Sequence, residues 1–181
     1  MAILDSITKP FKGATSKTKK KKASAAASGT VRMDILDKLA QEHDEVQELL
    51  QKLVDSEKAA ERTKLLKDIK QALVPHNKAE EKVVYERVLA VKSKDAKIDA
   101  HEGYVEHSVG DKVLTDLGKI KNRMSPEFTA TAKVLKELVD HHVEEEEDSI
   151  WSDVKDNFSM EQRIAMHAEF EAAKKRVKVK A

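Results

Sequence analysis

The sequence predicts an all-α protein folded as an up-down antiparallel four-helix bundle, and three observations support this prediction. Five glycines and three prolines are few interruptions for a chain of 181 residues. Ala, Leu, Lys and Glu dominate, and these residues favour helices over strands. Apolar residues recur at alternating spacings of three and four, which places them on one face of a helix. A chain of this length buries one core, so we expect one domain with tails.

Residues 1–30 differ in composition from the rest, and we predict that they form a disordered basic tail. Seven lysines and Asp5 give this segment a charge of +6, which leaves about −5 for the remainder of a chain of net charge +1. We expect no specific nucleic-acid binding from the lysine run at 19–22. Weak docking to a membrane surface or a partner stays open, because apolar residues recur at near-helical spacing at Ile3, Leu4, Ile7 and Phe11.

Residues 31–158 contain four predicted helices, and a histidine interrupts the apolar face of each. The first face carries Leu36, Leu39, His43, Val46, Leu50 and Leu53. The second carries Leu66, Ile69, Leu73, His76, Glu80 and Val83. The third helix is expected to begin near an N-cap at Asp99, and its face carries His107, Leu114, Leu117 and Met124. The fourth begins at the start signal Ser125-Pro126, and its face carries Leu135, Leu138, His142, Glu146 and Ile150.

The second and fourth helices contain similar segments, HNKAEEKVVY from His76 and HVEEEEDSIW from His142. The chain therefore looks like a duplicated helical hairpin. After Ser159, the residue Gln162 stands at the spacing of a capping-box partner. We predict that residues 159–181 form a short C-terminal helix that packs on the outside of the bundle.

The interrupted apolar faces predict a metal centre. A buried imidazole or carboxylate without a partner costs several kcal/mol, so residues at one level of four helices need something that satisfies them together. The pairs His76 with Glu80 and His142 with Glu146 are each four residues apart and project from one helix face. Cysteine is absent, and imidazole with carboxylate suits iron or manganese. Glu80 and Glu146 are placed to bridge two ions.

These motifs, with EHDEVQELL around His43 and EH at 106–107, resemble the hemerythrin HHE cation-binding domain over about residues 31–158. The resemblance implies a non-haem centre of two iron ions joined by an oxo or hydroxo bridge. It also implies reactions with dioxygen, peroxide or nitric oxide, or a role in iron sensing. By resemblance the metal ligands are His43, His76, Glu80, His107, His142 and Glu146.

The third helix departs from the pattern of the oxygen carriers to which this sequence is otherwise similar. In that pattern two histidines stand four residues apart, as His-x-x-x-His. Here His107 has Gly103 before it and Asp111 after it, so one iron lacks a histidine. Water, Asp111 or Tyr104 is expected to take that place, and an anionic ligand set favours redox turnover over oxygen storage. Glu81 and Glu147 are alternatives as bridging acids or as partners of the ligands. We predict no metal ligation by the remaining histidines, His101, His141 and His167.

The sequence therefore predicts a protein that binds and reduces or disproportionates a small oxidant, with stress protection as its role. A non-catalytic oxygen- or iron-binding sensor and a metal-free adaptor that uses its basic tail stay open as alternatives. Catalytic residues are not identified, and the chain is expected to be a monomer or small homo-oligomer. No run of about 18 apolar residues and no secretory signal is found, so a cytoplasmic location is expected.

Overall fold

A computed structural model describes residues 32–179, and within this range it contains helices and no strands. This confirms the predicted all-α class. Five helices follow one another, and we number them in chain order: α1 (Ile35–Asp55), α2 (59–88), α3 (Lys94–Lys119), α4 (126–157) and α5 (Met160–Lys174). The predicted basic tail lies outside the described residues, and the predicted boundaries at residues 30 and 158 stay a prediction.

Two of the five helices contain a π-helical turn, which the sequence did not predict. Helix α2 is α-helical over Ala59–Glu80, passes through a π-helical turn at Glu81–Tyr85 and ends as α-helix over Glu86–Val88. Helix α4 repeats this pattern, with Pro126–Glu145, a π-helical turn at Glu146–Ile150 and Trp151–Asn157. Short π-helical turns often occur at functional sites, because each inserts a residue and changes the direction of the side chains that follow.

Side-chain caps fix where α1, α4 and α5 begin. Asp34 accepts a hydrogen bond from the amide of Leu36 and caps α1. Ser125 caps α4 at the predicted start, and Ser159 with Gln162 forms the predicted capping box of α5. Each cap satisfies a backbone amide that has no partner within its helix.

The predicted bounds of the third helix were wrong at both ends. Helix α3 begins at Lys94, because the side chain of Ser93 caps it by accepting from the amide of Ala96, and Asp99 lies inside the helix. It ends at Lys119, before Met124. The guanidinium of Arg123 donates to the backbone carbonyls of Leu117, Gly118 and Ile120 in the last turn and C-cap of the helix, which stabilises this earlier termination.

The helices pack around two apolar clusters, one toward each end of the bundle. Helix α1 packs against α2 and α4, α3 packs against α4 and α2, and α5 covers α1 and α2. One cluster contains Leu39, Tyr85 and Phe170, and the other contains Leu50, Phe128 and Leu135. In each of α1 to α4, a histidine falls between the two clusters. Within residues 32–179, no helix combines the length and the apolar character that crossing a membrane requires.

Arg62 secures the end of the bundle away from the histidines. Its buried guanidinium donates to the carbonyls of Ser56 and Arg123 at 2.7 and 2.8 Å and to the hydroxyl of Thr129 at 2.9 Å. It also lies over the ring of Phe128, 5.5 Å from the centroid. These contacts join α2 to the loop that precedes it, to the loop between α3 and α4, and to α4 itself.

We expect Arg62→Met to lower the free energy of unfolding by about 2–4 kcal/mol, because it leaves buried carbonyls without a donor. Urea unfolding measures the change, and Lys64→Met, an exposed change on the same helix, serves as the control. Equal stability of the two variants would contradict this role for Arg62.

Candidate metal centre

The six predicted ligands meet between the two apolar clusters, at one level of the bundle. Helix α1 contributes His43, α2 contributes His76 and Glu80, α3 contributes His107, and α4 contributes His142 and Glu146. None of these residues is more than 8% exposed, and Glu80 is fully buried. They lie together because each occupies a core position of its helix, where a leucine or valine would otherwise stand.

The six residues form two histidine pairs on either side of two central carboxylates. On one side the rings of His43 and His76 have centroids 5.0 Å apart, and Nε2 of His76 lies 3.2 Å from Oε2 of Glu80. On the other side Nε2 of His107 lies 3.1 Å from Nε2 of His142. Each side thus presents two imidazole nitrogens toward the same central space.

Glu80 and Glu146 connect the two sides. Oε2 of Glu80 is 3.2 Å from His76 and 3.7 Å from His107, while Oε2 of Glu146 is 3.4 Å from His43 and 3.6 Å from His142. Their ligand atoms cluster tightly enough to hold cations in two sets that share Glu80, namely His43, His76 and Glu80, and Glu80, His107 and His142. A carboxylate between two nitrogen pairs is suited to bridge two ions.

Unpartnered polar atoms concentrate at this point of the structure. Among residues 32–179, nine buried side-chain nitrogen and oxygen atoms lack a hydrogen-bond partner, and five of them belong to His43, Glu80 and Glu146. Such atoms are costly in a protein interior unless a ligand satisfies them. The arrangement and the nitrogen and oxygen donors therefore fit cation binding.

A second set of carboxylates holds the outer nitrogen of each histidine, and every one comes from a neighbouring helix. Nδ1 of His43 pairs with Glu147 at 2.9 Å and Nδ1 of His76 with Glu42 at 3.1 Å. When each carboxylate accepts a hydrogen bond from Nδ1–H, the opposite nitrogen Nε2 of a neutral imidazole has its lone pair toward the centre.

The other two histidines are held in the same way. Nδ1 of His107 pairs with Glu81 at 3.2 Å, and Nδ1 of His142 pairs with Glu106 at 2.7 Å. The four pairs form a closed ring in which α1 supports α2, α2 supports α3, α3 supports α4 and α4 supports α1. Each imidazole is therefore oriented by a different helix from the one that carries it.

Two of the four carboxylates in this ring were candidates from the sequence. Glu81 and Glu147 had been left open as bridging acids or as partners of the ligands, and the structure places both against Nδ1 atoms. Glu42 and Glu106 were missed as partners. The signal for them is the dipeptide Glu-His, which occurs in both odd-numbered helices of the bundle and mirrors the Glu-Glu pairs of α2 and α4.

The pKa values of the two central carboxyl groups, Glu80 and Glu146, are shifted in opposite directions. Burial and the neighbouring charge of Glu146 raise the pKa of Glu80 well above its usual range. Burial also acts to raise the pKa of Glu146, but the imidazole of His43 at 3.4 Å and the charge of His142 outweigh it and lower this pKa. Two anions in one dry space repel each other, so without cations one of them keeps its proton.

The histidines respond to the same surroundings. Burial acts to lower the pKa of His43, but the nearby carboxylate of Glu146 and the hydrogen bond with Glu147 outweigh burial and raise the pKa to about 9. For His107, burial dominates over the hydrogen bond with Glu81 and lowers the pKa to about 4. A neutral His107 already has the protonation state that a metal ligand needs.

Two residues expected as substitutes on the third helix make other contacts in the structure. The hydroxyl of Tyr104 donates to the backbone carbonyl of Glu81 at 3.0 Å. Asp111 lies 3.7 Å from the ammonium of Lys78, burial raises its pKa, and its Oδ1 is buried without a hydrogen-bond partner. Neither residue belongs to the two cation-binding sets of the centre, so metal ligation by either stays a prediction.

The space beside Gly103 is filled by Tyr85. A Cβ at Gly103 would lie 2.7 Å from the Tyr85 hydroxyl oxygen, so no histidine fits there while Tyr85 keeps its position. Tyr85 is fully buried and stacks on His107, with ring centroids 5.3 Å apart. Its hydroxyl has no hydrogen-bond partner, and burial with the charges of Glu146 and Glu80 raises its pKa. A protonated phenol thus replaces the second histidine of the third helix.

Small cavities reach the centre from outside. One of about 20 Å³ is lined by His107, His142, Gly110 and Asn77, and the amide oxygen of Asn77 is buried without a partner. A wider groove of about 440 Å³ between α1 and α2 ends at His76. Molecules of two or three atoms can therefore approach the histidines.

Comparison with known proteins agrees with this geometry. The sequence matches the family model described as hemerythrin HHE cation binding domain over residues 34–151. A curated protein of Nostoc sp. (strain PCC 7120 / SAG 25.82 / UTEX 2576), named DNA nickase, is 30% identical over 145 residues, which cover 80% of this chain. The match spans 40% of that relative's length. No solved structure matches the chain.

We expect Glu80→Met to stabilise the metal-free protein by about 1–3 kcal/mol, because it replaces a buried carboxyl group without a partner by an apolar side chain of similar length. The same variant should lose metal binding. Thermal unfolding with and without a chelator measures both effects, with Glu137→Met on the surface of α4 as the control. A destabilised metal-free variant would mean that Glu80 has a structural partner.

Proposed function

Because the chain belongs to the hemerythrin HHE cation-binding domain family, we propose that it holds two iron ions between His43, His76, His107, His142, Glu80 and Glu146 and uses them to reduce or disproportionate a small oxidant. Peroxide, dioxygen and nitric oxide are the oxidants of suitable size, and stress protection is the proposed role. The observation that carries the proposal is the pair of buried cation-binding sets that share Glu80.

Iron is favoured by the chemistry of the donors. Four imidazoles and two carboxylates without sulfur suit iron or manganese, and the family centre contains two ions. The ring of four outer carboxylates increases the basicity of the histidines by accepting hydrogen bonds from their Nδ1–H groups. Negative charge around the centre stabilises the ferric state, which favours oxidant reduction over reversible oxygen storage.

When bound, two iron ions supply the electrons for a small oxidant and polarise it as Lewis acids. The chain's own contribution is to position, to exclude water and to supply protons. The cavity beside Asn77 and His107 admits a molecule of two or three atoms, and the apolar clusters above and below exclude bulk water. The hydroxyl of Tyr85 keeps its proton at neutral pH, since burial raises its pKa, and it lies beside Glu146 and His107.

DNA nicking, the activity in the name of the Nostoc relative, is not proposed for this chain. DNA nickase names a protein of which the matched region makes up 40%, and the six converging residues are suited to cations and small molecules. A test with supercoiled DNA therefore belongs beside the metal assays as a control, and we expect no nicking by this chain.

We expect close to two irons per chain after iron-replete expression, and a sharp loss of iron in His76→Ala and His142→Ala. His167→Ala should keep both ions, because its side chain lies on α5 away from the centre. Metal analysis of the purified variants measures the content. One ion or none in the wild-type chain would contradict the dinuclear proposal, and no ion at all would favour the metal-free adaptor.

The reduced, iron-loaded protein should be oxidised irreversibly by air, because its anionic surroundings stabilise ferric iron. Purging with argon should not restore the reduced spectrum, whereas a chemical reductant should. Stopped-flow absorption after mixing with oxygen measures the rate. Full recovery on purging, together with no consumption of added peroxide, would favour the oxygen-binding alternative.

Tyr85→Phe should lower the rate of peroxide consumption by about 100-fold, since a positioned proton donor contributes roughly that much or more. Iron content should stay unchanged. The matched control is Tyr104→Phe, which removes a hydroxyl that donates to the backbone carbonyl of Glu81 in α2. Equal rates for the two variants would exclude Tyr85 as the proton donor.

A further inference from the structure

A third group of potential metal ligands lies on the surface between α3 and α4, outside the buried centre. Nε2 of His141 is 3.3 Å from Oε1 of Glu145 and 4.0 Å from Oε1 of Glu106. The ligand atoms of these three residues all lie within 4.8 Å of one another. The side chains of His141 and Glu145 are 60% and 45% exposed, so a hydrated ion can reach them from solvent.

Two members of this group, Glu106 and Glu145, line a small cavity that also reaches the centre. The cavity, of about 20 Å³, is lined by acidic side chains at its outer end and by Glu146 and His142 at its inner end. That volume accommodates one water molecule or a small ion. No lysine or arginine lines it, and the acids that do are Asp99, Glu102, Glu106 and Glu145.

The inner end of the cavity carries a buried carboxylate that accepts no hydrogen bond. Glu146 is 2% exposed, both of its carboxylate oxygens lack a hydrogen-bond partner, and the residue lines this cavity. A buried carboxylate whose oxygens accept no hydrogen bond attracts a cation from the nearest accessible space. The other lining acids give that cation a continuous series of oxygen donors.

Glu106 connects the surface group with the buried centre. One of its oxygens pairs with Nδ1 of His142 at 2.7 Å, and the other is directed to His141. A single carboxylate thus orients a buried histidine and contributes to the exposed group. The side chain of Glu106 alone therefore separates an ion at the surface group from His142 and Glu146.

We propose that Glu106, His141 and Glu145 form a weak surface site for a divalent transition-metal ion, which captures the ion and passes it along the acidic cavity to Glu146. One imidazole and two carboxylates, with water completing the coordination, suit Fe²⁺ or Mn²⁺. High exposure makes the site weak, which a transit site requires, because the ion has to leave it again. The delivery step rests on the proposed buried centre, whereas surface binding does not.

Two measurements on the full-length chain separate capture from delivery. The first titrates the iron-loaded protein with Mn²⁺ and follows free Mn²⁺ by electron paramagnetic resonance. We expect one weakly held Mn²⁺ in the wild-type chain and none in His141→Ala or Glu145→Gln. His101→Ala and Glu137→Gln, exposed changes on α3 and α4, are the matched controls and should keep that ion.

The second measurement follows Fe²⁺ uptake by the chelator-treated chain without oxygen. Trp151 is the only tryptophan and stacks on His43 at 6.2 Å, so its fluorescence reports filling of the buried centre. We expect His141→Ala and Glu145→Gln to slow the fluorescence change about tenfold at micromolar Fe²⁺. Their final iron content should equal that of the wild-type chain.

The outcomes distinguish the two proposals. Equal Mn²⁺ binding in all variants would overturn the surface site, and equal uptake rates would overturn its role in delivery. A wild-type chain whose fluorescence and iron content do not respond to Fe²⁺ would overturn the buried iron centre and delivery together, while the Mn²⁺ titration would still decide the surface site.

Discussion

The structure depends on the repulsion between two carboxyl groups, Glu80 and Glu146, that are buried in one dry space. Neither has a hydrogen-bond partner for its oxygens, and their pKa values move in opposite directions because both cannot be charged there alone. Two bound cations would remove this repulsion, and metal binding would then stabilise the part of the core where burial of charge costs most. The interrupted apolar faces, the outer carboxylates and the position of Tyr85 all follow from the need to surround that space.

The ring of outer carboxylates links the centre to the packing of the bundle. Each histidine is oriented by a glutamate from the adjacent helix, as Glu42 of α1 does for His76 of α2. A shift of one helix along its neighbour would therefore rotate an imidazole away from the central space. The packing of the helices therefore determines the geometry of the metal ligands. This coupling explains why similar acids recur at equivalent places in both halves of the chain.

Most of the fold and the six converging residues could be predicted, because periodicity exposes a polar residue on an apolar face. Helix starts at Ser125 and Ser159 have local signals, and the structure agrees with both. The π-helical turns after Glu80 and at Glu146 escaped prediction, since a one-residue insertion within a helix leaves no pattern in composition. Glu42 escaped because its role depends on which helix is adjacent, and Tyr85 because its place beside Gly103 is a matter of packing.

The most direct test of two bridged ions is X-ray absorption at the iron edge of the purified full-length protein. Glu80 and Glu146 as bridges require iron with nitrogen and oxygen neighbours and a second iron about 3.5–4 Å away or closer, as in other two-metal sites. We expect this iron–iron signal in the wild-type chain. Iron at full occupancy without a second iron within that distance would contradict the central claim, since separate ions cannot share the two carboxylates.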